Sequence, residues 1–165
     1  MQKSKKVVIL GHFGVGKTSM VRRFVENCFS EDYKVTIGVH ISKKVVEISP
    51  NEHISLILWD LEGTDDIESI RQAYLMGSSG VFFVFDVSRS STFHNIKNDL
   101  VLVTEKIPKT PLLVIGNKLD LVDQSSLEKL LSENDISYDF LVSAKTGGNV
   151  EEAFLKMAAL TNGDT

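Results

Sequence analysis

The residues best suited to chemistry come early: Gly11-His12-Phe13-Gly14-Val15-Gly16-Lys17-Thr18 fit the pattern G-x-x-x-x-G-K-[ST]. Glycines in such a run let the backbone curl so that successive N–H groups face phosphate oxygens. A helix opening behind the loop adds a favourable dipole. Gly14, Val15 and Gly16 would supply the curled backbone. Lys17 would bring a point charge to the β- and γ-phosphates, and the Thr18 hydroxyl is a hard oxygen ligand for Mg²⁺. This motif by itself implies a nucleotide's phosphates and leaves the base open.

Two further stretches address the base. Asn117-Lys118-Leu119-Asp120 follows the apolar run Leu112–Ile115, where a doubly wound sheet presents its ligand contacts. The Asp120 carboxylate can accept from the adjacent N1 and N2 donors of guanine. Adenine lacks that pair, so the mismatch would cost a few kcal/mol (roughly 2–3). Ser143-Ala144-Lys145 comes after Phe140–Val142, and a backbone N–H there could donate to guanine O6.

The elements that must hold these residues are legible as five short apolar runs: Val7–Leu10, Leu56–Trp59, Val81–Phe85, Leu112–Ile115 and Phe140–Val142. Continuous hydrophobicity marks strands covered on both faces, as in parallel sheets. Val39–Ile48 is mixed instead, and Ser49-Pro50-Asn51 turns it back toward Ile54, which predicts a hairpin whose first arm is an antiparallel edge strand. Phe93, Ile96, Leu100 and Val103 share a helical face, with Ser90 or Ser91 as cap. Ser125 with Glu128, and Asn149 with Glu152, have capping-box spacing. The expected architecture is α/β: six strands, mostly parallel with one antiparallel edge strand, and helices on both faces, all in one domain over residues 1–165.

Composition sets outer bounds. The chain has 165 residues, 42% hydrophobic and 24% charged, with formal charge −4. That balance argues against a general nucleic-acid binder. The single cysteine, Cys28, excludes an internal disulfide and reads as a small packing residue in a reducing cytoplasm. The apolar runs are too short to span a bilayer, and no cysteine near Thr165 is available for prenylation, so a cytoplasmic monomer without a membrane anchor is expected.

Over essentially its whole length the sequence resembles a small GTPase of the Ras superfamily, with a P-loop NTPase fold. The stretch Glu31-Asp32-Tyr33-Lys34-Val35-Thr36-Ile37-Gly38-Val39 is closest to the Rab branch. The resemblance implies GTP or GDP as ligand, with Mg²⁺ held by Thr18, Thr36 and, through a water, Asp60. It implies Phe29 and Lys118 against the guanine ring, Ser19 near the α-phosphate, and the Gly63 amide as γ-phosphate sensor. It also implies two switch loops, around Thr36 and Gly63, read by effectors, exchange factors or GTPase-activating proteins. Tyr33 would close over the phosphates or stand exposed beside them.

The sequence departs from the family at the second switch. Members commonly have D-T-A-G-Q; here it is Asp60-Leu61-Glu62-Gly63-Thr64. Thr64 is too short to span the gap of the missing water-orienting glutamine. Glu62 would repel the γ-phosphate unless it turned outward or were protonated. Phe13, at a position that is glycine in Ras, would crowd the transition state. Slow hydrolysis is therefore expected, with Glu62, Asp65 or Asp66 as alternative water-positioning groups. A GTP-locked scaffold, or an ATP-using P-loop enzyme, are the rival readings. His12 reads as a surface position, and Arg22 and Arg23 as a solvated helix face.

Overall fold

A computed structural model of the chain describes residues 3–32 and 34–163. Side chains of its first strand alternate between two cores. Val7 and Ile9 pack with Met20, Phe24, Phe154 and Met157 on one face, while Val8 and Leu10 pack with Leu75, Ile96, Val103 and Leu131 on the other. The period-two alternation of a strand thus places apolar residues on both sides, which is why the sequence runs are unbroken.

In chain order the elements are β1 (Lys3–Gly11), α1 (Lys17–Glu26), β2 (Val39–Ser49), β3 (Glu52–Leu61), α2 (Gln72–Leu75), β4 (Gly80–Asp86), α3 (Ile96–Lys106), β5 (Leu112–Asn117), α4 (Gln124–Glu133), β6 (Phe140–Leu141) and α5 (Val150–Asn162). The sheet order is β2-β3-β1-β4-β5-β6. Only β2 is antiparallel, paired with β3 as expected for the hairpin. The other pairings are parallel. Helices α1 and α5 cover one face, where Phe24 and Phe154 stack at 4.0 Å between centroids. Helices α3 and α4 cover the other.

Three cap expectations are corrected. Ser90 and Ser91 open a 3-10 turn, and α3 begins only at Ile96. The Thr92 hydroxyl accepts from Asp86 N–H at 2.9 Å and so knots this turn to the end of β4. For α4 the cap is Asp123, two residues before Ser125, and its carboxylate accepts from both the Ser126 amide and hydroxyl. An ionised carboxylate is the better acceptor for helix N–H groups. Asn149 precedes α5 in a left-handed conformation and makes no side-chain cap; its amide donates to Leu141 O at 2.9 Å instead. The link between β3 and β4 holds only the one-turn α2 and a 3-10 turn at Ile67–Ser69. Cys28 is exposed, its thiol donating to Glu26, so it is not a packing residue.

Candidate functional site

All the parallel strands end on one edge of the sheet, where the order reverses around β1, and a cleft of about 320 Å³ opens there. Its wall includes Gly14, Gly16, Lys17, Thr18, Ser19, Phe29, Thr36, Gly63, Asn117, Lys118, Asp120, Ala144 and Lys145. These residues, drawn from six separate stretches of sequence, were nominated by the motifs and the family resemblance. Tyr33 lies outside the described residues.

The loop between β1 and α1 is built for an anion. Gly16 has φ 94°, and a Cβ there would collide with the Asn117 amide, so only glycine fits. Val15 contributes backbone alone: its side chain is in the core and anchors the loop. Lys17 Nζ, nearly sequestered, donates to Gly11 O and His12 O at 3.3 and 3.2 Å. Burial lowers its pKa to about 8, against the raising influence of Asp60. A polyanion beside it would favour the charged form.

The three nominated metal ligands meet. Thr18 Oγ1 donates to Asp60 Oδ2 at 2.5 Å and lies 2.7 Å from Thr36 Oγ1. Asp60 is 1% exposed, burial raises its carboxyl pKa, and its Oδ1 is a buried oxygen with no partner in the structure. Two hydroxyls and a carboxylate with an orphaned oxygen are a hard donor set, and they fit Mg²⁺.

Across the cleft, Asp120 accepts from Ser143 Oγ at 2.7 Å, so Ser143 orients this carboxylate from behind the wall. Asn117 ties two loops together: its amide donates to Val15 O at 3.1 Å, and its carbonyl accepts from Ala144 N–H at 3.1 Å. The Ala144 amide is therefore engaged by the protein. Lys118, held left-handed at φ 68°, donates to Gly14 O at 2.9 Å.

Several contributors were missed. Asp86, at the end of β4, pairs with Lys118 Nζ at 2.8 Å and accepts from Ser88. Burial opposes ionisation of Asp86, but those bonds outweigh it and hold the carboxyl below its ordinary range. Arg23 is not a solvated face: it donates to Ala144 O at 2.8 Å and Lys145 O at 2.6 Å. Arg89 donates to Phe13 O at 2.6 Å. Arg22, read with Arg23 as a solvated face, lines the cleft. Nothing in the spacing of Arg23, Asp86 or Arg89 could have flagged them, because their partners are far away along the chain.

The second switch differs from the expectation in detail. Gly63 presses on the phosphate loop: a Cβ would sit 2.7 Å from Phe13 Cα and 3.1 Å from Lys17 Nζ. Glu62 turns outward, its carboxylate accepting from Gly38 N–H at 3.3 Å. The Thr64 hydroxyl donates to Asp66 O at 3.1 Å and accepts from Asp66 N–H at 3.0 Å. Glu62 and Thr64 are absent from the cleft wall. So is the side chain of Phe13, which is 43% exposed. His12 is not a surface filler: its ring is 12% exposed and lies between Asp65 and Asp99.

A sequence profile of the Ras family matches residues 6–162. The chain is 37% identical over 165 residues to "Ypt/Rab-type GTPase YPT7" of Saccharomyces cerevisiae, covering 93% of this chain and 79% of that one. It is 35% identical to "Ras-related protein Rab-1" of Theileria annulata, covering 93% and 72%, and 36% identical to human "Ras-related protein Rab-32", covering 95% and 75%. Among the described residues no helix is long and apolar enough to cross a membrane. With the cleft assembled from the motifs of a nucleotide switch and the profile covering nearly its full length, this chain belongs to the Ras family of small GTPases, Rab-like molecular switches that hydrolyse GTP.

Proposed function

We propose that this GTPase binds GTP and GDP with Mg²⁺ in the cleft at the strand ends and hydrolyses GTP slowly. Lys17 and the backbone of Gly14–Lys17 would hold the β- and γ-phosphates, Ser19 the α-phosphate, and Asp120, oriented by Ser143, the guanine N1 and N2 donors. Thr18, Thr36 and Asp60 would hold the metal, which supplies charge neutralisation between the phosphates. Phe29 and the Lys118 stem would sandwich the base. Effectors and regulators would contact the switch loops, whose order depends on the γ-phosphate through Thr36 and Gly63.

The observation that carries slow hydrolysis is the Thr64 hydroxyl: both its donor and an acceptor position are used within its own turn, on Asp66. With its donor spent and its oxygen tied into this turn, outside the cleft wall, Thr64 is held away from a water at the γ-phosphate. Glu62, engaged with Gly38, and Asp65, engaged with His12, are each turned to a protein partner. Asp66, the third acidic candidate, is exposed and stands outside the cleft wall. On this reading the water has no dedicated positioning side chain, a loss of about 10²- to 10⁴-fold in the proton-transfer contribution. Single-turnover hydrolysis of bound GTP with Mg²⁺ tests this. A rate at least about 10²-fold below that of a glutamine-bearing relative measured in parallel is expected, and an equal rate would overturn it.

A further inference from the structure

His12 belongs to the phosphate loop by sequence, yet its ring serves another purpose. It points into the junction of three elements, the loop itself, the second switch and α3. Its Nδ1 lies 3.0 Å from Asp65 Oδ1 and its Nε2 lies 2.8 Å from Asp99 Oδ2. Neutral imidazole has one N–H, so one of these contacts would set a lone pair against a carboxylate oxygen. Only the imidazolium donates to both.

The two carboxylates are unlike each other. Asp99, in the first turn of α3, is 9% exposed, and would be a costly buried charge without the ring. Asp65, on the switch between Thr64 and the turn at Ile67–Ser69, is 82% exposed. One end of the bridge is fixed in the frame, and the other is on the loop that moves. Other charged groups on these elements include Asp66 of the switch, Lys17, whose ammonium donates to His12 O, and Arg89, which donates to the neighbouring Phe13 O.

We infer that His12 is a positioning residue for the switch: as an imidazolium bridging Asp65 and Asp99 it latches the second switch to α3. This deepens the GTPase reading above and rests on it. Losing the γ-phosphate would remove the partner of the Gly63 amide but not the partner of Asp65. The ring therefore supplies the second switch with a tether that is separate from the γ-phosphate contact of Gly63.

Hydrogen exchange of the segment 62–69 in the GDP- and Mg²⁺-loaded full chain, corrected for intrinsic exchange, tests the latch. Protection should fall about tenfold in Asp65→Ala relative to the native protein, and in Asp99→Asn likewise. Asp65 is exposed, so its removal leaves the fold intact even if Asp99→Asn proves unstable. Equal protection in native protein and Asp65→Ala overturns the latch. Bound nucleotide is quantified on the same samples by chromatography: failure to retain GDP strikes the GTPase reading itself, whereas retention with unchanged protection strikes only the latch.

Discussion

Glu62 and Gly38 bond to each other twice: the Glu62 amide donates to Gly38 O at 2.8 Å, and the Gly38 amide donates to the Glu62 carboxylate at 3.3 Å. The pair lies one step beyond the last β2–β3 partners, Val39 and Leu61, and so extends the hairpin ladder into both switches. The side chain that looked electrostatically misplaced beside a phosphate is thereby turned away from it. Glu62→Ala should leave intrinsic hydrolysis within about threefold of native, since the carboxylate has a structural partner and one such bond is worth roughly 0.5–1.5 kcal/mol. A drop of two orders of magnitude in single-turnover rate would identify Glu62 as the water-positioning group instead.

The hydrolysis defect should be repairable. In Thr64→Gln, the longer amide can leave the Asp66 turn and reach toward the γ-phosphate. A gain of about 10- to 100-fold in single-turnover rate is expected. No gain would mean that the deficiency lies elsewhere in the site.

Base selection should depend on Asp120, which Ser143 holds in place. Asp120→Ala removes the acceptor of two charge-assisted bonds, worth together about 3 kcal/mol, or roughly 100-fold in affinity for GDP. Competition binding provides the check: the variant should lose most of its preference for GDP over ADP, while phosphate and Mg²⁺ contacts persist.

Arg23 gives a test remote from the ligand. Its guanidinium clamps Ala144 O and Lys145 O, fixing the loop that carries Ser143. Arg23→Met keeps the apolar stem and removes the clamp. GDP dissociation should quicken about tenfold, corresponding to about 1.4 kcal/mol, with Tm changed little. An unchanged off-rate would show that the loop holds its shape without the clamp.

The Asp86–Lys118 pair makes a pH prediction. Hydrogen bonds from Lys118 and Ser88, winning over burial, hold the Asp86 carboxyl below its ordinary range. A carboxyl depressed in the folded state contributes stability above its unfolded pKa and loses that contribution as pH falls toward the folded value. Thermal melts from neutral pH down to about pH 3 should therefore show a shallower acid loss in Asp86→Asn than in the native protein. Parallel acid slopes would exclude this contribution.

How much was legible beforehand depended on how local each signal was. The phosphate loop, Asn117-Lys118-Leu119-Asp120 and Ser143-Ala144-Lys145 each consist of adjacent residues whose chemistry is shared with their neighbours, and all three reach the cleft wall. Strands were likewise plain, because burial on two faces leaves unbroken apolar runs. Cap positions were not: Asp123 and Ser125 both suit a helix start, and the choice turns on which side chain meets an amide at 3.0 Å.

The sequence by itself determined the layered α/β frame and the residues that line the cleft, since periodicity and short motifs act through nearest neighbours along the chain. Tertiary structure alone decided where the charges without local partners went. His12 finds Asp99 across 87 positions, Arg23 finds Ala144 across 121, and Lys118 reaches back to Gly14 across 104. Hydrogen bonds act over about 3 Å whatever the separation in sequence. Which polar side chains meet is therefore settled only once the sheet has brought its strand ends to a common edge.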